Sequence, residues 1–241
     1  WLWSDIRDRL RAAGISAPDA LDRGDDLWAQ WTAPDLVLSQ TCGLPFSREL
    51  RNKVRYVASP DYGLEGCPPG HYRSVFVARK GDGTARLRDF DRKCFAYNEG
   101  LSQSGWAAPL IHMQDRDILP GSLLESGGHR RSAQAVAEGK ADFAALDALS
   151  WALMQEYDTF AQELCEVEWT SPTPGLPFIT SIKTDPAPLY KAIEQAISDL
   201  PSENRQRLHL KGLVLISPSD YLAVPTPPGP VLTEMKIKAR R

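Results

Sequence analysis

The segment most informative about the fold class is Cys94-Phe-Ala-Tyr-Asn98-Glu-Gly-Leu-Ser102-Gln-Ser104-Gly105-Trp106, near the middle of a chain of 241 residues. Residues 94–98 predict a strand, and the polar residues around Gly100 predict a turn. Ser102 or Ser104 then predicts the N-cap of a helix, because serine is a preferred residue at that position. A strand that leads through a short turn into a helix is the basic unit of α/β proteins.

The same alternation of short apolar segments and helical patterns extends along the whole chain, which favours an α/β fold with largely parallel sheets. Strands are predicted at residues 35–39, 54–58, 72–79, 94–98, 143–146, 164–169 and 178–181. Helices are predicted at 132–138, 148–157 and 188–200. The chain opens at Trp1 inside another amphipathic helical pattern, so we expect that a preceding segment, with any export signal, has been removed or lies outside the given sequence.

Two extended segments, 72–79 and 164–170, enclose a middle block of about ninety residues, the size of one small domain. The sequence therefore predicts two lobes joined by a two-strand hinge. Residues 1–78 and 169–241 would form the first, discontinuous lobe, and residues 79–168 would form the second. The proline-rich run 171–177 is too poor in N–H donors for a sheet centre and predicts a loop.

Composition excludes several classes of function. Lysine and arginine total 28 against 31 aspartates and glutamates, and they are scattered, so nucleic acid is not an expected partner. The cysteines, Cys42, Cys67, Cys94 and Cys165, lack the CxxC spacing of a zinc or redox site, so we expect no metal and no cofactor. In an exported protein Cys42 and Cys67 could form a disulfide, but the sequence leaves their pairing open.

The helix start at Ser102 predicts an anion-binding site. The first turn of a helix carries unpaired N–H groups and the positive end of the helix dipole, and Ser102 and Ser104 add hydroxyl donors. Gly105 is expected to let a ligand approach the backbone. The alternative is an ordinary helix cap. Pro109 removes one helical hydrogen bond, so the helix is expected to be kinked or short.

Other polar residues lie where an open α/β sheet binds its ligand, beyond the carboxyl ends of the strands. Gln40 and Thr41 follow the strand predicted at 35–39. Asp147 follows the strand at 143–146, and it either caps the next helix or binds an amino group or a protonated oxyanion. His129 follows a glycine pair and either donates to an anion or lies exposed in a turn. No catalytic motif is present, and Ser104 with His129 is not favoured over other pairs as a nucleophile and base.

Six segments together resemble the phosphate, phosphite and phosphonate substrate-binding proteins of ABC importers. Each is short, but they occur in the family's order and spacing. They are Ser-Gln-Thr-Cys-Gly at 39–43, Ser-Pro-Asp-Tyr-Gly at 59–63 with Cys67, Tyr-Arg-Ser at 72–74, Ser-Gln-Ser-Gly at 102–105, Gly-Lys-Ala-Asp at 139–142 with Asp147, and Thr-Pro-Gly-Leu-Pro at 173–177.

The resemblance implies a type 2 periplasmic-binding-protein fold, in which two lobes, each a mostly parallel sheet flanked by helices, close on a small phosphorus oxyanion. It implies a monomer without catalytic activity that works with an ABC permease, in the periplasm or lipid-anchored outside the cytoplasmic membrane. The ligand-binding residues that it implies, together with those expected above, are Gln40, Thr41, Tyr72, Ser102, Gln103, Ser104, Gly105, His129 and Asp147.

Two alternatives stay open at this point. One is an enzyme on the same fold that acts in cofactor or quinone biosynthesis, with His129 and Asp147 as the pair to test. The other is the ligand-sensing domain of a larger regulator.

Overall fold

A computed structural model describes residues 1–24, 26–82 and 86–240 of the chain. The chain forms two compact units. The first comprises Trp1–His71 and Pro174–Ala223, and the second comprises Tyr72–Thr173 and the C-terminal segment from Val224. The sequence-based boundaries had placed residues 72–78 and everything after 168 in the first lobe.

The helices, in chain order, are α1 (Leu2–Ala12), α2 (Leu27–Trp31), α3 (Gly43–Arg48), α4 (Ala108–Gln114), α5 (His129–Ala137), α6 (Ala148–Tyr157), α7 (Pro186–Ser198), α8 (Ser202–Arg207), α9 (Pro218–Ala223) and α10 (Pro230–Ala239). The strands are β1 (Ser39–Gln40), β2 (Val54–Asp61), β3 (His71–Tyr72), β4 (Ser74–Arg79), β5 (Cys94–Tyr97), β6 (Ser122–Glu125), β7 (Phe143–Asp147), β8 (Leu164–Trp169), β9 (Thr173–Pro174), β10 (Phe178–Ser181) and β11 (Gly212–Val214).

The first unit is built on a sheet with the strand order β1-β10-β2-β11, and each of these ladders is antiparallel. Its core lies between this sheet and two helices. Leu10 of α1 and Leu189 and Ile193 of α7 are almost fully buried and pack with Val57 of β2. Burial of each such leucine or isoleucine contributes about 1.5–3 kcal/mol relative to an exposed side chain.

The second unit contains a five-stranded sheet with the order β6-β5-β7-β4-β8. Side chains of β4 alternate between two cores, with Val75 and Val77 in one and Phe76 and Ala78 in the other. Successive residues of a strand point to opposite faces, so both faces of this sheet are covered. This is why the centre of β4 is apolar throughout, with no alternation of polar residues.

The expected largely parallel pairing is found only where a helix connects two strands. β5 pairs in parallel with β6 and β7, whereas β4 is antiparallel to β7 and β8. A parallel pair needs a crossover connection, and a helix provides it between β5 and β6 and again between β6 and β7. The first-unit strands β2 and β10 are instead separated by the whole passage of the chain through the second unit.

The strand predicted at 35–39 forms only at Ser39–Gln40. The carbonyl groups of Leu36 and Val37 accept hydrogen bonds from Thr180 Oγ1, and Leu36 also accepts one from the Ser181 N–H. Side-chain donors therefore replace part of a regular ladder there.

The C-terminal segment packs against the second unit. Ile237 of α10 is buried, and the indole N–H of Trp106 donates to the Pro228 carbonyl over 3.1 Å. These contacts explain why residues from 224 onward group with this unit. Across the described ranges no helix is long and apolar enough to span a bilayer.

Candidate functional site

Three parallel strands of the second unit end at the same edge of the sheet, and each is followed by a helix. The segment Gln103–Gln114 follows β5, α5 follows β6, and α6 follows β7. In open α/β sheets this is the edge at which ligands bind, because helix N-termini and loop donors collect there.

Ser102 is the N-cap that the sequence predicted. Its Oγ accepts a hydrogen bond from the Gly105 N–H over 3.0 Å, and Asn98 Nδ2 donates to the same atom over 2.9 Å. Ser102 is 3% exposed, so its hydroxyl is fixed inside the unit and does not rotate in solvent.

The helix after Ser102 opens with one π-helical turn, Gln103–Ala107, and continues as α4. The Ala107 N–H bonds the Ser102 carbonyl five residues earlier, over 3.0 Å. In that register the Ser104 carbonyl would take the N–H of residue 109, but Pro109 has none. Ser74 Oγ donates to the Ser104 carbonyl instead, over 2.8 Å. The helix therefore continues past Pro109, and the turn that carries both serines has an altered register.

Ser104 and His129, two predicted site residues, are in direct contact. Ser104 Oγ lies 2.9 Å from His129 Nε2, and Asn98 Nδ2 lies 3.5 Å from the same nitrogen. His129 is the first residue of α5, whose N-cap, Gly128, has no side chain to bond the first turn. The contact therefore joins the N-terminal turns of two helices.

Burial lowers the pKa of His129 below its ordinary value. The negative charge of Asp147 and the Ala145 carbonyl oppose this effect, and both are weaker than burial. The ring nitrogen Nδ1 is buried and has no hydrogen-bond partner among the described residues. The imidazole is therefore neutral at neutral pH, and it can either donate or accept at Nε2.

Gly105 does not face open space. A Cβ at this position would overlap Asn98 Oδ1 and Cγ. The glycine was expected to let a ligand approach the backbone, and in the structure the Asn98 side chain occupies that volume. Sequence reasoning assigned no role to Asn98, although its place directly after β5 marks it as a strand-end residue.

Asp147 caps α6, as one of the two sequence interpretations held. Its Oδ1 accepts from the N–H groups of Leu149 and Ser150 over 2.7 and 3.0 Å, and its Oδ2 accepts from Ser150 Oγ over 2.7 Å. The negative charge of Asp147 also acts on His129, where it opposes the lowering of the pKa because it favours the protonated ring.

The remaining predicted residues are buried or already bonded. In the first unit Gln40 Nε2 donates to the Leu176 carbonyl over 3.1 Å, and Thr41 is 2% exposed with no hydrogen-bond partner for its buried Oγ1 within the described part of the chain. In the second unit Tyr72 and Gln103 are 3% and 2% exposed. Buried hydroxyls are normally paired, so Thr41 is an unusual position.

Arginines beside the site are engaged elsewhere. Arg130 forms a bidentate ion pair with Asp158, in which the shortest N–O distance is 2.7 Å. The guanidinium of Arg73 lies over the Trp169 ring, 4.3 Å from its centroid. The disulfide that the sequence left open does not join Cys42 to Cys67 in this structure.

One protein family, described as "ABC transporter, phosphonate, periplasmic substrate-binding protein", has a model that matches residues 39–221. The match covers more than half of the chain and includes every predicted site residue. No curated protein sequence matches the chain significantly.

Solved structures share the fold. XAC2383 from Xanthomonas citri bound to ATP has a TM-score of 0.69 at 17% identity, over 99% of this chain and 92% of that one. PhnD1 from Prochlorococcus marinus in complex with methylphosphonate has a TM-score of 0.69 at 15% identity, over 98% and 91%. A binding protein component of an ABC phosphonate transporter from Pseudomonas aeruginosa has a TM-score of 0.64 at 16% identity, over 99% and 88%. The predicted type 2 periplasmic-binding-protein fold is confirmed.

Proposed function

Because the chain belongs to the family of periplasmic substrate-binding proteins of phosphonate ABC transporters, we propose that Ser102, Ser104 and His129 bind a small phosphorus oxyanion. Phosphate, phosphite and phosphonates share a PO₃ group, and the proposal concerns that group. One observation carries it: the contact of 2.9 Å between Ser104 Oγ and His129 Nε2, which brings two helix N-termini together.

The chemistry of this arrangement suits an oxyanion. Each helix start contributes the equivalent of about half a positive charge through its unpaired N–H groups. Ser102 and Ser104 add hydroxyl donors, and His129 adds a ring nitrogen that can donate when its proton is on Nε2. Such a site holds an anion without a lysine or arginine, as other helix-terminus sites do. The contacts predicted for Gln40, Thr41, Tyr72, Gln103, Gly105 and Asp147 stay predictions.

The ligands of two structural neighbours support the class of ligand and leave its size open. PhnD1 is in complex with methylphosphonate and XAC2383 is bound to ATP, and both ligands present phosphoryl oxygens. A small phosphonate and a nucleotide differ greatly in volume, so the PO₃ group is the part that our proposal takes from them.

We propose that the protein binds its ligand and does not catalyse a reaction. A serine hydroxyl against a histidine is also the contact that activates a serine nucleophile. In such enzymes a carboxylate orients the histidine through Nδ1. Here the hydrogen bonds of Asp147 go to the cap of α6, and Nδ1 has no carboxylate partner among the described residues. We therefore expect no hydrolysis of p-nitrophenyl phosphate or p-nitrophenyl acetate, and turnover abolished by Ser104→Ala would contradict this part.

The family implies a membrane permease as partner, and its members are described as periplasmic. For this chain we propose the same location, free or lipid-anchored, and a monomer that does not bind nucleic acid. Sedimentation velocity of the purified chain tests the monomer, and fractionation of cells that express the full gene tests the location.

The decisive test is isothermal titration calorimetry. The panel would contain phosphate, phosphite, methylphosphonate, 2-aminoethylphosphonate, ATP and sulfate. We expect micromolar or tighter binding of at least one phosphorus compound by the wild type. The Ser102→Ala/Ser104→Ala variant should lose it, because two hydroxyl donors to a charged group are removed, each worth about 1.5–3 kcal/mol.

A matched control separates binding from helix capping. Ser102 caps a helix, so its loss also lowers stability by about 1 kcal/mol. Asp185→Ala removes the cap of α7 in the first unit, where the Asp185 carboxylate accepts from the Ala187 N–H over 3.1 Å. This control should lose similar stability and keep the wild-type affinity. If the double serine variant binds with wild-type affinity, the assignment of the site is overturned. If the wild type binds no compound of the panel, the ligand class is overturned.

A further inference from the structure

Asn98 links the starts of two helices in the second unit. Its Nδ2 donates to Ser102 Oγ over 2.9 Å and lies 3.5 Å from His129 Nε2. Ser102 Oγ accepts on that side of the amide, which places the nitrogen toward it, and the oxygen Oδ1 on the opposite side is buried without a hydrogen-bond partner among the described residues.

The hydroxyl of Ser102 has only one role left. A serine oxygen can accept two hydrogen bonds and donate one. Both acceptor positions are occupied, by the Asn98 amide at 2.9 Å and by the Gly105 N–H at 3.0 Å. The remaining interaction of Ser102 is to donate its proton, and an unprotonated phosphoryl oxygen is the acceptor that such a donor suits.

The position of Asn98 depends on residue 105. A Cβ there would overlap both Oδ1 and Cγ of Asn98, and the short side chain cannot swing away without breaking its bond to Ser102. Glycine is the residue that leaves this volume to Asn98. The requirement comes from packing, since Gly105 does not have a positive φ angle.

We propose that Asn98 is a positioning residue of the anion site. It fixes Ser102 as an obligate donor toward unprotonated oxygens, and Gly105 is required because it makes space for Asn98. This inference rests on the proposed function, because it assigns the Ser102 proton to the oxyanion. It adds a residue that does not itself contact the ligand.

A double-mutant cycle tests the proposal, with methylphosphonate and inorganic phosphate as probes in calorimetry. Asn98→Ala should weaken the better probe by about tenfold, since the Ser102 hydroxyl regains freedom to rotate and to accept. Gly105→Ala should cause a similar loss by displacing Asn98. The control Asn52→Ala replaces an exposed asparagine of the first unit, and this variant should bind both probes as the wild type does.

The combination Asn98→Ala/Gly105→Ala distinguishes two explanations of the glycine. If Gly105 serves Asn98, the double variant binds no more weakly than Asn98→Ala alone, because nothing is left to displace. If Gly105 serves close approach of the ligand, the alanine weakens binding equally in both backgrounds. The second result, or unchanged affinity in Asn98→Ala, overturns the proposal.

Two readouts do not need a ligand. Urea unfolding should show Gly105→Ala to be destabilising when Asn98 is present and nearly neutral in the Asn98→Ala background. Hydrogen exchange of the Gly105 amide should speed up in Asn98→Ala, because its acceptor, Ser102 Oγ, is no longer held. If the wild type binds neither probe, the phosphorus compound of the panel that it does bind takes their place. If it binds none of them, the proposed function fails, and the ligand role of Asn98 fails with it. If the wild type binds and these variants do not differ, only the inference about Asn98 fails.

Discussion

Replacing His129 with glutamine should change how the stability of the protein depends on pH. Burial holds the folded-state pKa of His129 below its ordinary value, so the unfolded chain binds a proton more readily than the folded chain does. Stability therefore falls as the pH drops below the unfolded pKa of about 6.5, and it continues to fall until the folded pKa is reached. His129→Gln removes the titrating group and with it this part of the pH dependence.

The size of the effect has a ceiling that the structure sets. One unit of pKa difference is worth about 1.4 kcal/mol, so at pH 5 a ring that stays neutral in the folded state destabilises the protein by at most about 2 kcal/mol. The charge of Asp147 and the Ala145 carbonyl both reduce the effect, because they favour protonation. At pH 8 the variant should lose about 1 kcal/mol, the hydrogen bond to Ser104.

Urea unfolding of both proteins between pH 5 and pH 8 measures the difference directly. Subtraction of one curve from the other cancels the other three histidines of the four in the chain and the carboxylates other than Asp147, whose charge acts on His129. The wild type should lose stability relative to His129→Gln as the pH falls. Parallel curves would refute the argument from burial, and a relative gain at low pH would mean that Asp147 outweighs burial and that the site is cationic.

Three further predictions concern packing and capping. Gly121→Ala should destabilise the protein by about 1–3 kcal/mol in urea unfolding, because the new Cβ would overlap the Arg92 carbonyl. The control Gly212→Ala should not, because its Cβ would meet no described atom within 4 Å. Equal losses of stability in the two variants would contradict this prediction. Trp106→Phe should lower the free energy of unfolding by about 2 kcal/mol and speed hydrogen exchange in α10, because the hydrogen bond to the Pro228 carbonyl is lost. Unchanged exchange in α10 would mean that this hydrogen bond does not hold the C-terminal segment in place. Ser102→Asp should keep the helix cap but abolish oxyanion binding by charge repulsion, and burial of the new carboxylate should also lower the unfolding midpoint. Retained affinity in calorimetry would place the ligand elsewhere.

Local patterns in the sequence predicted most elements well. The helix predicted at 148–157 is α6, and the strand predicted at 164–169 is β8. The start of α6 is marked by its cap, Asp147, and β8 alternates apolar residues with Glu166 and Glu168. The edge strand β6 was not predicted, because Ser122 and Glu125 are exposed and only the two leucines between them are apolar. β11 is three residues long, too short for any periodicity to be visible.

The site divides in the same way between local and long-range features. The cap at Ser102 was predictable, because capping depends on residues three positions apart. The contact between Ser104 and His129 joins residues 25 positions apart, and it depends on the parallel pairing of β5 with β6. The role of Asn98 was not predictable, since it requires knowing which side chain fills the volume beside Gly105.

The three helix starts at this edge differ in their caps, and this difference tells which of them can bind an anion. Asp147 already places a carboxylate at the start of α6, so that helix end is neutralised. Ser102 is uncharged, and Gly128 contributes no side chain to the first turn of α5. These two helix ends, with the equivalent of about half a positive charge each, therefore carry no carboxylate cap of their own. In a chain with a formal net charge of −3, we propose that these two helix ends draw a phosphorus oxyanion to Ser104 and His129, since those residues lie where the two ends meet.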